Sequence, residues 1–358
     1  MATKLLRPNV GIYVAAADAF ANWAAPTLTE ITNATKVFNI SKAVTDGYTL
    51  NMTDSDVDNS LAIVDNASVS TPTLYNYEAS LDGFRDADVE ADSAYNLFYA
   101  KFATAPVGTK YYLIKRIGKA NDAAFAAGDL VSIYGVTTDY PVDIVADGAM
   151  IMTGARFLTT GEVVVNVAVA AGTAGSGPLV KAITGTKIQS NGNLAVYWVP
   201  KADVTDEAAF LSAPYDVQIT GGVNLTAAIA WDGYELGASE SNKIDDKGIA
   251  DASNAQSRGF AQFSGALTFF RGITSETTGA YADAFDTFKA ATDERVEGYL
   301  VQRIGAGSGA VAAGDVVSIF KFIADAVMDN TEGEDSVKFM VKFQPQGQLG
   351  VNKTVLLD

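Results

Sequence analysis

The chain contains no cysteine and no histidine. The first absence removes disulfides, thiol nucleophiles, iron–sulfur clusters and thiolate zinc sites. The second removes His-containing catalytic triads, HExxH zinc sites and most transition-metal sites. Charge is sparse as well. Asp, Glu, Lys and Arg make up 19% of the 358 residues, below the roughly 25% usual for globular chains. No window holds ~18 uninterrupted apolar residues, so no membrane-spanning helix is expected. No residue pattern calls for a cofactor.

Hydrophobic residues make up 48% of the chain, enough for a sizeable core and too many for a disordered acidic tail. At ~150 residues per domain the length suggests two domains. Lys and Arg number 25 against 42 Asp and Glu, a net charge of −17. Nucleic-acid binders neutralise phosphates with cations, so this chain repels a polyanion on average. The start, with Lys4, Arg7 and the apolar Gly11–Ala17, loosely mimics a signal peptide.

Self-similarity is the strongest signal. Tyr112-Leu113-Ile114-Lys115-Arg116-Ile117-Gly118 matches Tyr299-Leu300-Val301-Gln302-Arg303-Ile304-Gly305. Gly128-Asp129-Leu130-Val131-Ser132 matches Gly314-Asp315-Val316-Val317-Ser318, and Asp46-Gly47-Tyr48 matches Asp232-Gly233-Tyr234. Phe84-Arg85 matches Phe270-Arg271. Phe157, Gly161, Val165 and Asn166 match Phe343, Gly347, Val351 and Asn352. The offset is about 186 residues throughout (314 − 128 = 186). Asn9–Tyr13 matches Asn193–Tyr197, so the first segment reads as a folded strand rather than a leader. The expected organisation is domain 1 over 1–171, a flexible Gly/Ala-rich linker over 172–187, and domain 2 over 188–358.

Each unit reads as short strands bounded by Gly, Asp or Pro: Val10–Val14, Lys110–Ile117, Leu130–Val136 and Val163–Val169 in the first. Leu74–Phe84 alternates, with Tyr75, Tyr77, Ala79 and Leu81 on one face and Asn76, Glu78, Ser80 and Asp82 on the other. That predicts one buried and one wet face. In Phe260–Phe270, Phe263 and Leu267 take the buried face, and Gln262, Ser264 and Thr268 the wet one. A helix with one apolar stripe follows: Tyr95, Phe98, Tyr99 and Phe102 in unit one, Tyr281, Phe285 and Phe288 in unit two. Asn51–Thr73 and Gly237–Gly259 read as long polar loops, a length that points to function or an interface.

Several motifs have plainer readings. Asp54, Asp56, Asp58 and Asp65 have EF-hand-like spacing, but Asn59 stands where the loop needs Gly, and the second copy offers Glu240, Asn242 and Ile244. A solvated or partner-facing acidic loop fits better. Gly305-Ala306-Gly307-Ser308-Gly309 follows a strand without a helix pattern after it, so a hairpin turn is expected rather than a phosphate loop. Glu78 and Asp82 share a face, but their copies are Ser264 and Thr268, so paired carboxylates for glycoside hydrolysis are not duplicated. Trp231 corresponds to Thr45, and Trp23 and Trp198 are not equivalent, so no duplicated sugar-stacking site is predicted.

The unit order, the tandem duplication, the acidity and the missing Cys and His together resemble the major tail tube proteins of long-tailed bacteriophages. The resemblance implies a mainly β fold, with two packed antiparallel sheets and a flanking helix in each of two tandem domains. It implies six tube domains around a channel, hence three chains per ring, and rings stacked into a tube. It also implies a virion protein assembled in the host cytoplasm. Its partners would be further copies of itself and the tape measure, tail tip and tail terminator proteins. Genomic DNA would pass through without specific binding. The wet-face residues Asn76, Glu78, Ser80, Asp82, Gln262 and Ser264 are then lumen candidates. Asp54, Asp56, Asp58, Asp65, Glu240, Asp245, Asp246 and Asp251 are ring-stacking candidates, and Met1–Pro8 and Thr354–Asp358 are arm candidates. Alternatives are a capsid decoration protein or contractile-device tube subunit, and a secreted β-rich carbohydrate-binding adhesin.

Overall fold

The computed structural model describes residues 9–54, 56–58, 71–74, 76–86, 107–146, 149–181, 190, 192–246, 255–272, 278–292, 295–307, 309–330 and 337–358. In the first half the strands are β1 (Val10–Ala16), β2 (Val37–Asn39), β3 (Thr49–Met52), β4 (Asp56–Asp58), β5 (Thr71–Leu74) and β6 (Tyr77–Phe84). They continue with β7 (Lys110–Ile117), β8 (Leu130–Thr138), β9 (Val142–Ile144), β10 (Met152–Ala168) and β11 (Leu179–Val180). The short helix α1 covers Leu28–Ile31. The second half holds β12 (Leu194–Pro200), helices α2 (Glu207–Ser212) and α3 (Asp216–Thr220), then β13 (Val223–Asn224) and β14 (Ile229–Ser239). After these come β15 (Lys243–Asp246), β16 (Ala255–Arg258), β17 (Gln262–Phe270), helix α4 (Ala280–Phe288) and β18 (Val296–Ile304). β19 (Val316–Ala324), β20 (Met328–Asn330) and β21 (Lys338–Thr354) complete the chain.

The fold is mainly β in two tandem domains, and the duplication holds in three dimensions. β9 and β20, like β10 and β21, start and stop at residues related by the repeat offset. Val10 pairs with Ile117 as Leu194 pairs with Ile304. Arg116 pairs with Val131 as Arg303 pairs with Val317. In each domain one antiparallel sheet curls over its own core, because the 17-residue β10 or β21 pairs with different strands along its length. β10 meets β6 over Met152–Arg156 and β8 over Phe157–Ala168.

The curl needs a break in the ladder, and the matched residues supply it. Register slips between Thr159 and Val163 and between Val164 and Val167 of β10. Gly161 and Gly347 take φ of 81° and 73°, a region open to Gly. Asn166 and Asn352, at φ 53° and 51°, are the two non-glycine left-handed residues among those described. Their freed N–H groups donate to Ser132 Oγ at 3.1 Å and Ser318 Oγ at 3.3 Å. The repeat therefore preserves backbone devices as well as hydrophobic positions.

β1 carries no period-2 pattern because both its faces are buried. Ile12 and Val14 face the inner core with Leu50, Leu81, Leu113, Val136 and Phe157. Tyr13 and Ala15 face an outer layer with Ile31, Ile114, Phe125 and Ile133. Domain 2 repeats this with Val196 and Trp198 inward and Tyr197 and Val199 outward. α4 lays Phe288 and Ala284 on the inner core, with Phe285 half-buried and Tyr281 largely exposed. The helix expected around Tyr95–Phe102 lies outside the described residues.

Three expectations need correction. The long polar stretches are not structureless where described: they hold the hairpins β4–β5 and β15–β16. Charged and hydroxyl residues there hide short strands that contribute little to a core. The start of the expected flexible linker is docked. β11 pairs parallel with β2, and Gly175 N–H donates to Thr32 Oγ1 at 2.7 Å. The end of the chain is also held: Val355 is buried, its N–H donates to Asp315 O, and Leu356 N–H donates to Pro214 O.

The turn read as a hairpin rather than a phosphate loop is one, and its carbonyls point inward. The Arg303 guanidinium donates to Gly307 O at 2.8 Å, Gly309 O at 2.6 Å, Ala310 O at 2.7 Å and Asp315 Oδ2 at 2.7 Å. Arg116 does the same to Ala120 O and Ala123 O, both at 2.7 Å. A loop that turns its carbonyls to a buried cation has no N–H cradle to offer an anion.

Candidate assembly surfaces

The alternating strands split as their sequence predicts. Tyr77, Ala79 and Leu81 are buried, as are Phe263 and Leu267. On the opposite face Glu78, Gln262 and Ser264 are exposed, and Asn76, Ser80 and Asp82 are half-exposed. These residues are tied into local polar contacts. Asn76 Nδ2 donates to Asp54 O at 3.1 Å, and Ser264 Oγ donates to Glu235 Oε1 at 3.3 Å. Gln262 Nε2 donates to Asn242 Oδ1. Asp82 is paired with Arg156 at 2.8 Å, which cancels much of its outward charge and leaves Glu78 as the more open anion.

The junction between the domains is a built interface. The domain 1 sheet takes in the β15–β16 hairpin of domain 2 through β10 and β16, with Thr160 opposite Ala255, while the other domain 2 strands form their own sheet. Beside it, the Asp139 carboxylate is 2% exposed and accepts Ser241 N–H at 2.7 Å and Ser241 O–H at 2.6 Å. Hydrogen bonding of this kind is what makes a buried carboxylate tolerable. Arg156 reaches Glu240 at 3.5 Å, and the Arg258 guanidinium lies 5.3 Å from the Tyr140 ring centre. Ile151 of domain 1 is fully buried in the domain 2 core, with Tyr140 and Val145 packed against it. A polar cleft of about 290 Å³ runs along this seam, lined by Glu78, Ser80, Glu240, Lys243 and Gln256 among others.

The acidic stacking candidates fall in several places. Glu240 sits at the junction, also 3.2 Å from Lys243. Asp245 is exposed, with Gln256 Nε2 at 3.4 Å, and Asp246 ends β15. Asp54 is exposed, and Asp56 and Asp58 lie on β4, extended backbone rather than a calcium-loop turn. Asp65 and Asp251 lie outside the described residues, as do arm residues Met1–Pro8. Asp139 and Ser241 carry no sequence signal beyond the repeat equivalence of Asp139 with Asp325 and of Ser241 with Ser55.

Domain 2 holds a further ionic cluster over its curled strand. Lys321 Nζ lies 2.6 Å from Glu207 and 3.6 Å from Glu297, and donates to Gln348 Oε1 at 3.2 Å. Lys201 lies 3.1 Å from Glu207. Burial pushes the Glu207 carboxyl up, but hydrogen bonds from Lys321 and Lys201 outweigh it and hold the group below its ordinary value.

No curated protein matches the chain. A family model described as phage tail tube protein matches twice in tandem, over residues 1–172 and 182–356. The two matches fall on the two curled-sheet domains and together take in nearly the whole length, so the chain belongs to the phage tail tube protein family and is a structural component of the virion tail.

Proposed function

We propose that three copies of the chain close one ring of six β domains, and that the rings stack into an acidic conduit for DNA during ejection. The observation that carries this reading is the junction: the two domains sit side by side with one sheet running across β10 and β16. A wall made this way removes sheet edges that otherwise invite aggregation. The net charge of −17 supports the conduit role. Phosphates gain no counterion-release attraction from an anionic wall, and at a Debye length of ~8–10 Å such a wall acts across much of a narrow bore.

Glu78, with Asn76, Ser80, Asp82, Gln262 and Ser264 around it, is proposed to face the bore. Asp65, Asp245, Asp246 and Asp251 are proposed to meet adjacent rings. Tape measure, tip and terminator proteins are the proposed partners at the tube's interior and ends. Negative-stain microscopy of the purified protein tests the reading. Rings or tubes with six equal lobes are expected, and compact solid trimers, as in a shell decoration protein, would overturn it. Glu78→Gln is expected to leave the rings intact and slow DNA ejection. Loss of ring formation would reassign Glu78 to an interface.

A further inference from the structure

The repeat makes the junction inside the chain a template for a junction between chains. Asp325 is the counterpart of Asp139, Lys342 of Arg156 and Gln346 of Thr160. Asp139 N–H donates to Arg156 O at 3.0 Å, and Asp325 N–H donates to Lys342 O at 2.8 Å, so the two aspartates stand on the same backbone. Their surroundings differ. Asp139 is sealed by Ser241 of the neighbouring domain, whereas Asp325 is exposed and meets Ala326 N–H at 2.8 Å and Gln344 Nε2 at 3.4 Å, both from its own domain. Leu158 and Thr159 are buried, while their counterparts Gln344 and Pro345 are exposed.

The missing half exists elsewhere in the chain. Hairpin β4–β5 is the counterpart of β15–β16. β15–β16 is joined to β10, but β4–β5 forms a two-stranded sheet of its own among the described residues. A lone hairpin is marginal in water and needs a third strand or a face to settle on. Charge agrees as well. At the inner junction Glu240 meets Arg156, and the counterparts, Asp54 and Lys342, are again opposite in sign and both exposed. The acidic-Ser pair Glu240-Ser241 recurs in sequence as Asp54-Ser55.

We infer that hairpin β4–β5 of one copy docks on the β21 edge of a second copy, beside Asp325, with Asp54 facing Lys342. This takes the place that β15–β16 holds on β10 and assigns Asp54, Asp56 and Asp58 to the lateral seam of a ring rather than to ring stacking. The inference rests on the ring reading and adds its inter-chain contact. Because the contact is head-to-tail, repetition closes a ring if the rotation allows.

The cysteine-free chain gives a clean test. A variant carrying both Asp54→Cys and Lys342→Cys, treated with a short bis-maleimide, is expected to give covalent dimers and trimers on a denaturing gel. Each single variant should stay monomeric. Lys342→Asp is expected to raise the concentration at half-assembly at least tenfold in sedimentation, and adding Asp54→Lys should restore it. Measured below the assembly concentration, melting temperature should stay unchanged, since both side chains are exposed in the single chain. Rings in the microscope without cross-linking or charge rescue would overturn this contact while sparing the ring reading. A wild-type chain that stays monomeric at high concentration would overturn both.

Discussion

The Tyr77 hydroxyl gives its proton to the Gly135 carbonyl at 2.5 Å while accepting the N–H groups of Thr160 at 3.0 Å and Gly161 at 3.1 Å. One phenol thus stitches three backbone groups at the place where β10 slips register. Its repeat counterpart, Phe263, is buried and has no hydroxyl, so the ring fits without the oxygen. Tyr77→Phe is therefore expected to keep the fold and lose the phenol's three hydrogen bonds to the backbone. The cost is about 2–3 kcal/mol, seen as a drop of roughly 5–10 °C in melting temperature. An unchanged melting curve would show that water replaces the phenol freely.

Arg303 closes the β18–β19 turn from inside. At 2% exposure it satisfies three carbonyls and Asp315 together. Arg303→Met is expected to destabilise domain 2 by about 3–5 kcal/mol, because it leaves Asp315 without its counter-charge, with the Ala312 N–H still donating to it, and takes the guanidinium from three carbonyls. Arg303→Lys should recover only part of that, since an ammonium lacks the planar fork. Chemical denaturation of the two variants checks the order.

Acid sensitivity has a defined window. Burial pushes Glu30 and Glu207 up, but N–H donors from Ala21 and Thr27 at Glu30, and Lys321 and Lys201 at Glu207, bring both below 4.5. The Lys338 hydrogen bond holds Asp232 below 3.8. A carboxyl depressed on folding contributes stability above its unfolded value, and that contribution fades as pH falls through the folded value. With no histidine in the chain, denaturant midpoints should be nearly flat from about pH 5.5 to 7 and fall below about 4.5. A step near pH 6.5 would contradict the assignment.

Alkali acts through tyrosines. Burial pushes Tyr13, Tyr77 and Tyr299 up to about 12. A group raised on folding supports the fold below its unfolded value, here 10.0, and that support is lost as pH rises toward 12. Of the 15 tyrosines, these three should ionise late, as should Tyr234, which burial holds well above 10.0, together with loss of near-ultraviolet dichroism. A single smooth phenol titration around 10 with the fold intact would refute this.

The duplicated architecture was legible because the shared residues sit where geometry leaves few choices. Gly161 and Gly347 occupy positive φ, Asn166 and Asn352 the left-handed bulge, and Arg116 and Arg303 the turn interior. Alternation from Tyr77 to Phe84 exposed the wet face for the same reason: one side meets a core and the other meets water. The hairpins β4–β5 and β15–β16 were illegible because short strands of Asp, Gln, Ser and Thr bury too little apolar surface to leave a pattern. α2 and α3 span barely more than a turn each, too short for helical periodicity. The Asp139–Ser241 contact links residues 102 positions apart, which no local pattern encodes. Only the repeat offset, applied to Asp325 and Ser55, could have pointed to it.

The two domains solve one mechanical problem with different chemistry. Gly135 in domain 1 leaves its carbonyl to the uncharged Tyr77 oxygen, whereas its counterpart Lys321 in domain 2 carries an ammonium into a nest of carboxylates. Dissolved ions weaken the second arrangement, though only in part since Lys321 is buried, and ignore the first. The twin domains of one chain therefore answer the surrounding electrolyte unequally: brine loosens the ionic nest of domain 2 and leaves the phenol stitch of domain 1 as it was.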